Sequence, residues 1–244
     1  MLRTLNSVGL IGSAVTFAVC FWNRNEIPAT IAFDSRLENA PEQHTVVKQP
    51  FDVSYSGVDY RVEPKFDYEL YGLVVSYRQH DGKSFMHRVS NDRLNMADVC
   101  VVWSDTAFSE HLRKLDFWNG IFTCNVSTRD SVAWAHFKLD ELSNNHLISA
   151  DAAIRDRVSD VHIGDQIRIK GWLANYGAVG GGMRRTSTTR EDSGDGACET
   201  IFVNEFDILT PAWSLWRVNM YLSLAVLAAC LAIHFALPYR PHHR

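Results

Sequence analysis

Histidine and aspartate residues are the first candidates for chemistry in this 244-residue chain. His80 and Asp81 lie in a sequence typical of a turn, and His87 follows shortly after them, so a hairpin could bring all three together as metal ligands. Ser, His and Asp are all present, but no GxSxG sequence frames a nucleophile. Because His and Asp residues at surface turns are usually solvated, we predict no metal and no cofactor. Because no sequence frames a nucleophile, we predict no catalytic residue and no enzyme activity.

The loop at residues 176–197 is the second candidate, because it is rich in Gly, Arg and Thr. Its glycines could let backbone amides approach an anion, with Arg184, Arg185 and Arg190 supplying positive charge. The glycines are not followed by Lys and Ser or Thr, which excludes a phosphate-binding P-loop. We favour a flexible or partner-contacting loop over an anion site. We predict ligand or partner binding at the three arginines.

Residues 143–146 form a third polar cluster, Ser-Asn-Asn-His, immediately before a predicted helix. Adjacent amides and a histidine could bind a ligand or orient a water molecule. The same residues suit a turn in which side chains bond to the backbone, and we favour the turn.

Three cysteines, Cys100, Cys124 and Cys198, lie outside the apolar ends of the chain, which allows three single pairings. We prefer a Cys100–Cys124 disulfide because both residues lie in apolar runs that could be neighbouring strands. Ordinary buried thiols are the alternative. No CxxC pair occurs, so a zinc knuckle has no support.

The candidate residues lie between two apolar segments, one near each end of the sequence. Residues 218–237 carry no Asp, Glu, Lys or Arg and have about the length of 20 residues that a transmembrane helix needs. Residues 5–22 form a second apolar segment, which could be a signal peptide but is better explained as a retained anchor. Arg3, Arg240 and Arg244 flank the outer ends, which predicts that both termini are cytoplasmic. Within the first segment, Gly9 and Ser13 have the spacing that lets two membrane helices pack closely.

The region between these segments is predicted to be mostly β-strand. Residues 23–64 are polar and rich in proline, which indicates an extended connector, and residues 65–210 form the predicted domain. Ser149 or Asp151 can cap a short helix, and Ile167 and Ile169 alternate with polar residues as in a strand. The predicted strands are residues 69–77, 85–89, 98–103, 117–126, 132–139, 166–171 and 199–209.

The order of these elements, with the segment GDQIRIKGWL opening the fourth strand, resembles the OB-fold, a five-stranded barrel. The stretches LSNNHLISA and RTSTTREDSGDGACE are similar to those of uncharacterised bacterial envelope proteins with two membrane spans. The resemblance implies a mainly β chain: an OB-fold-like barrel with one short helix, inserted between two transmembrane helices. Together with the orientation predicted from the flanking arginines, it places the domain on the periplasmic side of a bacterial inner membrane, and it implies no activity.

The net charge of −4 argues against a bulk polyanion as main partner, so nucleic acid is not expected. The leading hypothesis is an accessory or assembly protein that engages a membrane or envelope protein complex while its two spans hold it in the bilayer. The alternative is a binding module for an anionic oligomer, a glycan or an oligonucleotide. Trp118, Trp134 and Trp172 could then stack on bases or sugars, although most aromatic residues in strands are core. An exoplasmic hydrolase built on the His and Asp residues is the least favoured alternative.

Overall fold

The computed structural model describes residues 2–28, 31–80, 91–120, 123–189 and 198–236. These residues belong to two compact units, one formed by Met1–Pro28 with Trp213–Arg244 and the other by Ala29–Ala212. The α-helices of the described residues are α1 Leu2–Asn23, α2 Ser104–Phe108, α3 Ser131–His136, α4 Ala152–Ser159 and α5 Leu215–Ala236. The strands are β1 Glu42–Thr45, β2 Phe51–Tyr55, β3 Val58–Gln79, β4 Asn95–Val102, β5 Asp116–Asn119, β6 Cys124–Ser127, β7 Leu142–Ile148, β8 Gln166–Ala178 and β9 Cys198–Thr210.

Helices α1 and α5 form the first unit, and each is 22 residues long. At 1.5 Å per residue each helix measures about 33 Å, slightly more than a bilayer's hydrocarbon core. Their most apolar stretches have mean hydropathies of 1.6 and 1.9. Both helices are therefore long and apolar enough to cross a membrane, and the prediction of two apolar terminal helices is confirmed.

The two helices pack against each other through small side chains. A Cβ atom built on Gly9 would lie 2.9 Å from Sγ of Cys230, so a larger residue at this position would have to displace the Cys230 side chain. Ser13 of α1 and Ser223 of α5 are buried, and each satisfies its hydroxyl group by donating to a carbonyl of its own helix. The large apolar side chains of both helices, among them Leu5, Ile11, Leu222 and Val226, remain exposed.

Five strands of the second unit form a closed cycle of strand pairs. Strand β3 pairs with β4, β4 with β7, β7 with β9, β9 with β8, and β8 again with β3. All these pairs are antiparallel except β7 with β9, which is parallel. Helix α4 connects β7 to β8, and the Asp151 carboxylate caps it by accepting from the amides of Ala153 and Ile154. The predicted helix with its aspartate cap is thus present.

The apolar core lies on one face of these strands. Its fully buried members alternate along each strand, as a period of two requires. They include Leu70, Val99, Val101, Leu147, Ile169 and Ile201. The intervening residues of β4 and β7, among them Asp98 and His146, therefore lie on the opposite face, where they are also buried.

Several local predictions differ from the structure. The strand predicted at residues 132–139 is wrong, because Asp130 accepts from the amides of Val132 and Ala133 and thereby starts helix α3. The single strand predicted at residues 117–126 is instead the hairpin of β5 and β6. The predicted connector carries β1 and β2, which pair with β3. The strand predicted at residues 85–89 lies outside the described residues.

The turn predicted at residues 143–146 is also wrong, because these residues lie within β7. Buried hydrogen bonds satisfy their polar side chains, so they fit an interior strand: Nδ2 of Asn145, for example, donates to Oγ of Ser143 at 2.8 Å. The chain therefore combines a mixed sheet with two apolar terminal helices, and most of its helical residues belong to those two helices.

Candidate functional site

A buried group of charged side chains lies between β4 and β7. The strand register pairs Asp98 of β4 with His146 of β7, and it pairs His146 with Thr200 of β9. Because all three residues occupy the face opposite the apolar core, their side chains lie next to one another. The side chains of Asp98 and His146 are 2% and 0% exposed, so the site excludes bulk water.

Both carboxylate oxygens of Asp98 have donors. Nδ1 of His146 donates to Oδ1. Nδ2 of Asn95 donates to the same oxygen at 3.3 Å. Nε2 of His80 lies 2.8 Å from Oδ2. This number of donors is what a buried carboxylate requires if it is to remain ionised.

Arg184 completes the group from the loop that joins β8 to β9. Its backbone exchanges two hydrogen bonds with Tyr176 of β8, with N···O distances of 3.0 and 2.7 Å. Its Nη2 lies 2.6 Å from Nε2 of His146 and donates to it. His146 therefore donates to Asp98 with one ring nitrogen and accepts from Arg184 with the other, which requires a neutral ring.

The electrostatics agree with that assignment. Burial raises the pKa of Asp98, but hydrogen bonds from His146 and His80 outweigh burial and leave it well below its usual range. Burial lowers the pKa of His146, and the neighbouring Asp98 offsets only part of this effect. At neutral pH we therefore assign a negative charge to Asp98, a positive charge to Arg184 and a neutral ring to His146, which lies between them. We name Asp98, His146, Arg184 and His80 the buried network.

The segment that carries Arg184 is attached to the sheet on both sides. The Thr186 amide donates to Oδ1 of Asn175 at 3.0 Å, and Oγ1 of Thr186 accepts from the Thr200 amide at 2.9 Å. The Ser187 amide donates to the Cys198 carbonyl at 2.9 Å. These bonds hold residues 184–187 along β8 and β9, directly beside His146.

The predicted disulfide lies on the same polar face. The sulfur atoms of Cys100 and Cys124 lie at disulfide distance with Cα atoms 5.8 Å apart, which supports the predicted pair. The bond connects β4 to the hairpin of β5 and β6. Nδ2 of Asn119 donates to Sγ of Cys100, and Nδ2 of Asn144 donates to Sγ of the buried Cys198.

The three arginines predicted to bind a ligand or partner have different positions. The Arg184 side chain is directed inward to His146, whereas Arg185 is exposed, and Arg190 lies outside the described residues. Of the predicted histidine cluster, His80 joins the buried network, while Asp81 and His87 lie outside the described residues. In the described ranges, no group of three or more His, Cys, Asp or Glu side chains is arranged to hold a metal ion.

Sequence reasoning did not single out Asp98, and it assigned His146 to a turn. A signal was present, because Asp98 opens the apolar run DVCVVW and an acid at such a position must be buried with partners. The register that brings it to His146 cannot be read from either segment alone.

The chemistry open to the buried network is limited. Nε2 of His146, the nitrogen that would act as a base, is already bonded to Arg184. Both oxygens of Asp98 are likewise occupied. The arrangement is thus suited to fixing the Arg184 segment on the sheet, because the basic atoms of His146 and Asp98 are already engaged.

A second surface lies in the insertion between β4 and β7, residues 103–141. Its aromatic row consists of Phe117, Phe137 and Trp134: the Phe137 ring lies 6.2 Å from that of Phe117 and 5.7 Å from that of Trp134. Trp134 is 54% exposed, and the neighbouring Val132 and Leu139 are also exposed. The row is an apolar surface that the domain leaves open to its surroundings.

Comparisons with protein-family models, with curated proteins and with solved structures found no match to this chain.

Proposed function

We propose that the protein is a membrane-anchored accessory or assembly protein whose β domain engages a membrane or envelope protein. The observation that carries this proposal is the aromatic row of the insertion. Trp134 is exposed and packs beside the half-buried Phe137, which in turn lies beside the half-buried Phe117. Partly exposed aromatic groups of this kind are typical of surfaces that bind another protein, where Trp and Phe are enriched.

The aromatic row is not needed by the cores of the domain. Among the described residues, the two apolar clusters of the sheet contain no residue of the segment 104–141, which buries Ala107, Leu112, Leu115 and Ala133 of its own. The segment is instead joined to the sheet through the Cys100–Cys124 pair and through Ser76 of β3, whose hydroxyl group donates to Oδ1 of Asn119 at 2.6 Å. An insertion that is fixed in place and leaves Trp134 exposed is best explained by the surface it presents.

The charge of the insertion favours a protein over an anionic lipid or a nucleic acid. Lys114 is paired with Asp130, and Lys138 is paired with Asp105, so the basic side chains are partly neutralised. Within residues 104–141 acidic residues outnumber basic ones. A polyanion would be repelled by this surface, whereas an apolar protein patch would not.

The proposal also includes the membrane topology of the chain. Helices α1 and α5 anchor the chain, both termini are cytoplasmic, and the domain lies on the periplasmic side of a bacterial inner membrane. The Cys100–Cys124 pair supports this side, because disulfides persist in oxidising compartments. The exposed outer faces of the two helices are then available to lipid and to the spans of the partner.

We further infer that the closed pairing order of five strands is an OB-fold-type barrel. The parallel pairing of β7 with β9 and the position of α4 between β7 and β8 support this inference. In such barrels the second and third strands and two adjoining loops bind oligonucleotides or oligosaccharides. Here those strands are β4 and β7, and the face between them holds the buried network.

The anionic-oligomer module is therefore the second candidate. The exposed Arg185 beside Arg184 favours it, since two arginines lie next to the face that binds ligands in OB-folds. Asp98 counts against it, because a negative charge lies at the centre of that face and is covered by the protein's own loop. The accessory function accounts for both observations.

The test is co-purification from native membranes of the full-length protein with a photocrosslinker beside the aromatic row. We expect a stoichiometric membrane protein partner. Trp134→Ala should weaken its capture roughly thirtyfold, the effect of a hot-spot residue worth about 2 kcal/mol. Trp118→Ala is the matched control, because Trp118 is 47% exposed in the same insertion but follows Phe117 in a strand and so points to the opposite face.

Recovery of the protein alone, or equal capture by both tryptophan variants, would count against the accessory function. Binding of an anionic glycan or oligonucleotide that is lost in an Arg184→Ala, Arg185→Ala double variant would instead support the second candidate.

A further inference from the structure

The buried network connects the strands β4 and β7, the end of β3 and the β8–β9 loop. His146 of β7 lies between Asp98 of β4 and Arg184 of the β8–β9 loop, and His80 at the end of β3 contacts the same carboxylate. The contact of Arg184 depends on Nε2 of His146 having no proton, because a guanidinium group has only donors. The bond is therefore sensitive to the protonation of one atom.

We propose that His146 and Arg184 form a latch that opens when the pH falls, releasing residues 184–187 from the face between β4 and β7. Protonation of Nε2 converts this atom from acceptor to donor, so the hydrogen bond to Arg184 is lost. It also places an imidazolium ion against a guanidinium ion beside a ring that is shielded from bulk water, where like charges repel strongly.

Charged or titratable groups from β3, β4, β8, β9 and the β8–β9 loop lie around His146 among the described residues. Asp98 favours the protonated ring, whereas Arg184 and His80 oppose it through their charges. Cys198 of β9 adds a buried thiol whose pKa is raised by burial, so it stays neutral. Tyr176 of β8 stays neutral for the same reason, since burial raises its pKa well above the ordinary value.

The balance of these groups sets the direction of the switch. Burial lowers the pKa of His146 in the closed state. Once the segment opens and water enters, the pKa returns toward its ordinary value of 6.5. The open state therefore binds the proton more tightly, and the closed state is favoured above pH 6.5 and disfavoured as the pH falls below it.

Opening changes which surface the domain presents. Asp98 is 2% exposed and His146, like Thr200, is 0% exposed in the closed state. Thr200 has a buried hydroxyl oxygen without a hydrogen-bond partner in the described part of the chain. Release of the Arg184 segment would hydrate this hydroxyl group and uncover a polar face that is closed at neutral pH.

The test is hydrogen exchange of the Arg184, Thr186 and Ser187 amides in the full chain in nanodiscs, with protection factors corrected for intrinsic exchange. The acceptors of these amides lie on β8 and β9. Between pH 7.5 and pH 5.5 we expect their protection to fall about tenfold, the effect of one proton taken up over one pH unit below 6.5. Protection that stays constant over this range would overturn the proposal.

His146→Gln separates the latch from general acid destabilisation, because the glutamine oxygen can accept from Arg184 but does not titrate. We expect its protection to be independent of pH, while His44→Gln, which alters an exposed histidine side chain of β1, should behave like the wild type. If His80→Gln rather than His146→Gln removed the pH dependence, the assignment to His146 would be wrong.

A direct measurement on the wild type covers the case in which His146→Gln does not fold. The imidazole nitrogen signals of His146 should titrate with the same midpoint as the loss of amide protection. A midpoint for His146 that differs from that of the amides would overturn the latch.

Discussion

Asp98 keeps a negative charge in a place that water does not reach. Its two oxygens are contacted by His146, His80 and Asn95. Arg184 carries the compensating positive charge and contacts the opposite side of the His146 ring. A buried ion pair is not in itself a source of stability, because desolvation opposes the attraction. Its members nevertheless depend on one another, since removal of one leaves the others buried without their partner.

Asp98→Asn should therefore destabilise the protein by about 3 kcal/mol or more, the cost of breaking a buried charge pair. The reason is that Arg184 loses its counter-charge while the donors of His146 and His80 lose a charged acceptor. Denaturant unfolding followed by near-ultraviolet circular dichroism measures the change. Asp67→Asn, at an exposed position of β3, should remain within about 0.5 kcal/mol of the wild type. Equal effects of the two substitutions would contradict the role given to Asp98.

At the scale of elements, the helices and the insertion depend on close local contacts. Helices α1 and α5 approach each other at Gly9, where Sγ of Cys230 occupies the space next to the glycine. The insertion is joined to β4 through Cys100 and Cys124. Each contact predicts a substitution with a matched control.

Gly9→Leu should separate the two helices, because even a Cβ atom at this position would lie 2.9 Å from Sγ of Cys230. Gly12→Leu is the control, since no atom lies within 4 Å of a Cβ there. The distance between spin labels at Val15→Cys and Val226→Cys, in a background without other free cysteines, reports the separation. The pairing of α1 with α5 would be in doubt if both leucine variants gave the wild-type distance.

Reduction of the Cys100–Cys124 pair should loosen the insertion. The two residues are 24 apart in sequence, and closing a loop of this size is worth about 3 kcal/mol in the chain-entropy model. We expect faster proteolysis within residues 104–141 after addition of dithiothreitol. The Cys100→Ala, Cys124→Ala double variant should be cleaved fast at the start and show no response to the reductant. A wild type that ignores the reductant would show that the bond does not hold the insertion.

At the scale of the whole molecule, the parts that sequence predicts best are those fixed by local periodicity. Uninterrupted hydropathy predicts α1 and α5, alternation at Ile167 and Ile169 predicts β8, and Asp151 predicts the start of α4. The strand predicted at residues 132–139 failed because the cap at Asp130 outweighed strand propensity. The buried network is set by strand register, so it required the structure.

Strand β3 has a consequence for how the chain is made. It pairs with β1, β2, β4 and β8, and its partners in β8 lie roughly a hundred residues later in the chain, a separation that slows folding. During synthesis at the ribosome, β3 must wait with one edge unpaired until β8 has emerged. An unpaired edge of this length invites pairing with other chains, so this step is where the nascent protein is most exposed to aggregation and most in need of a chaperone.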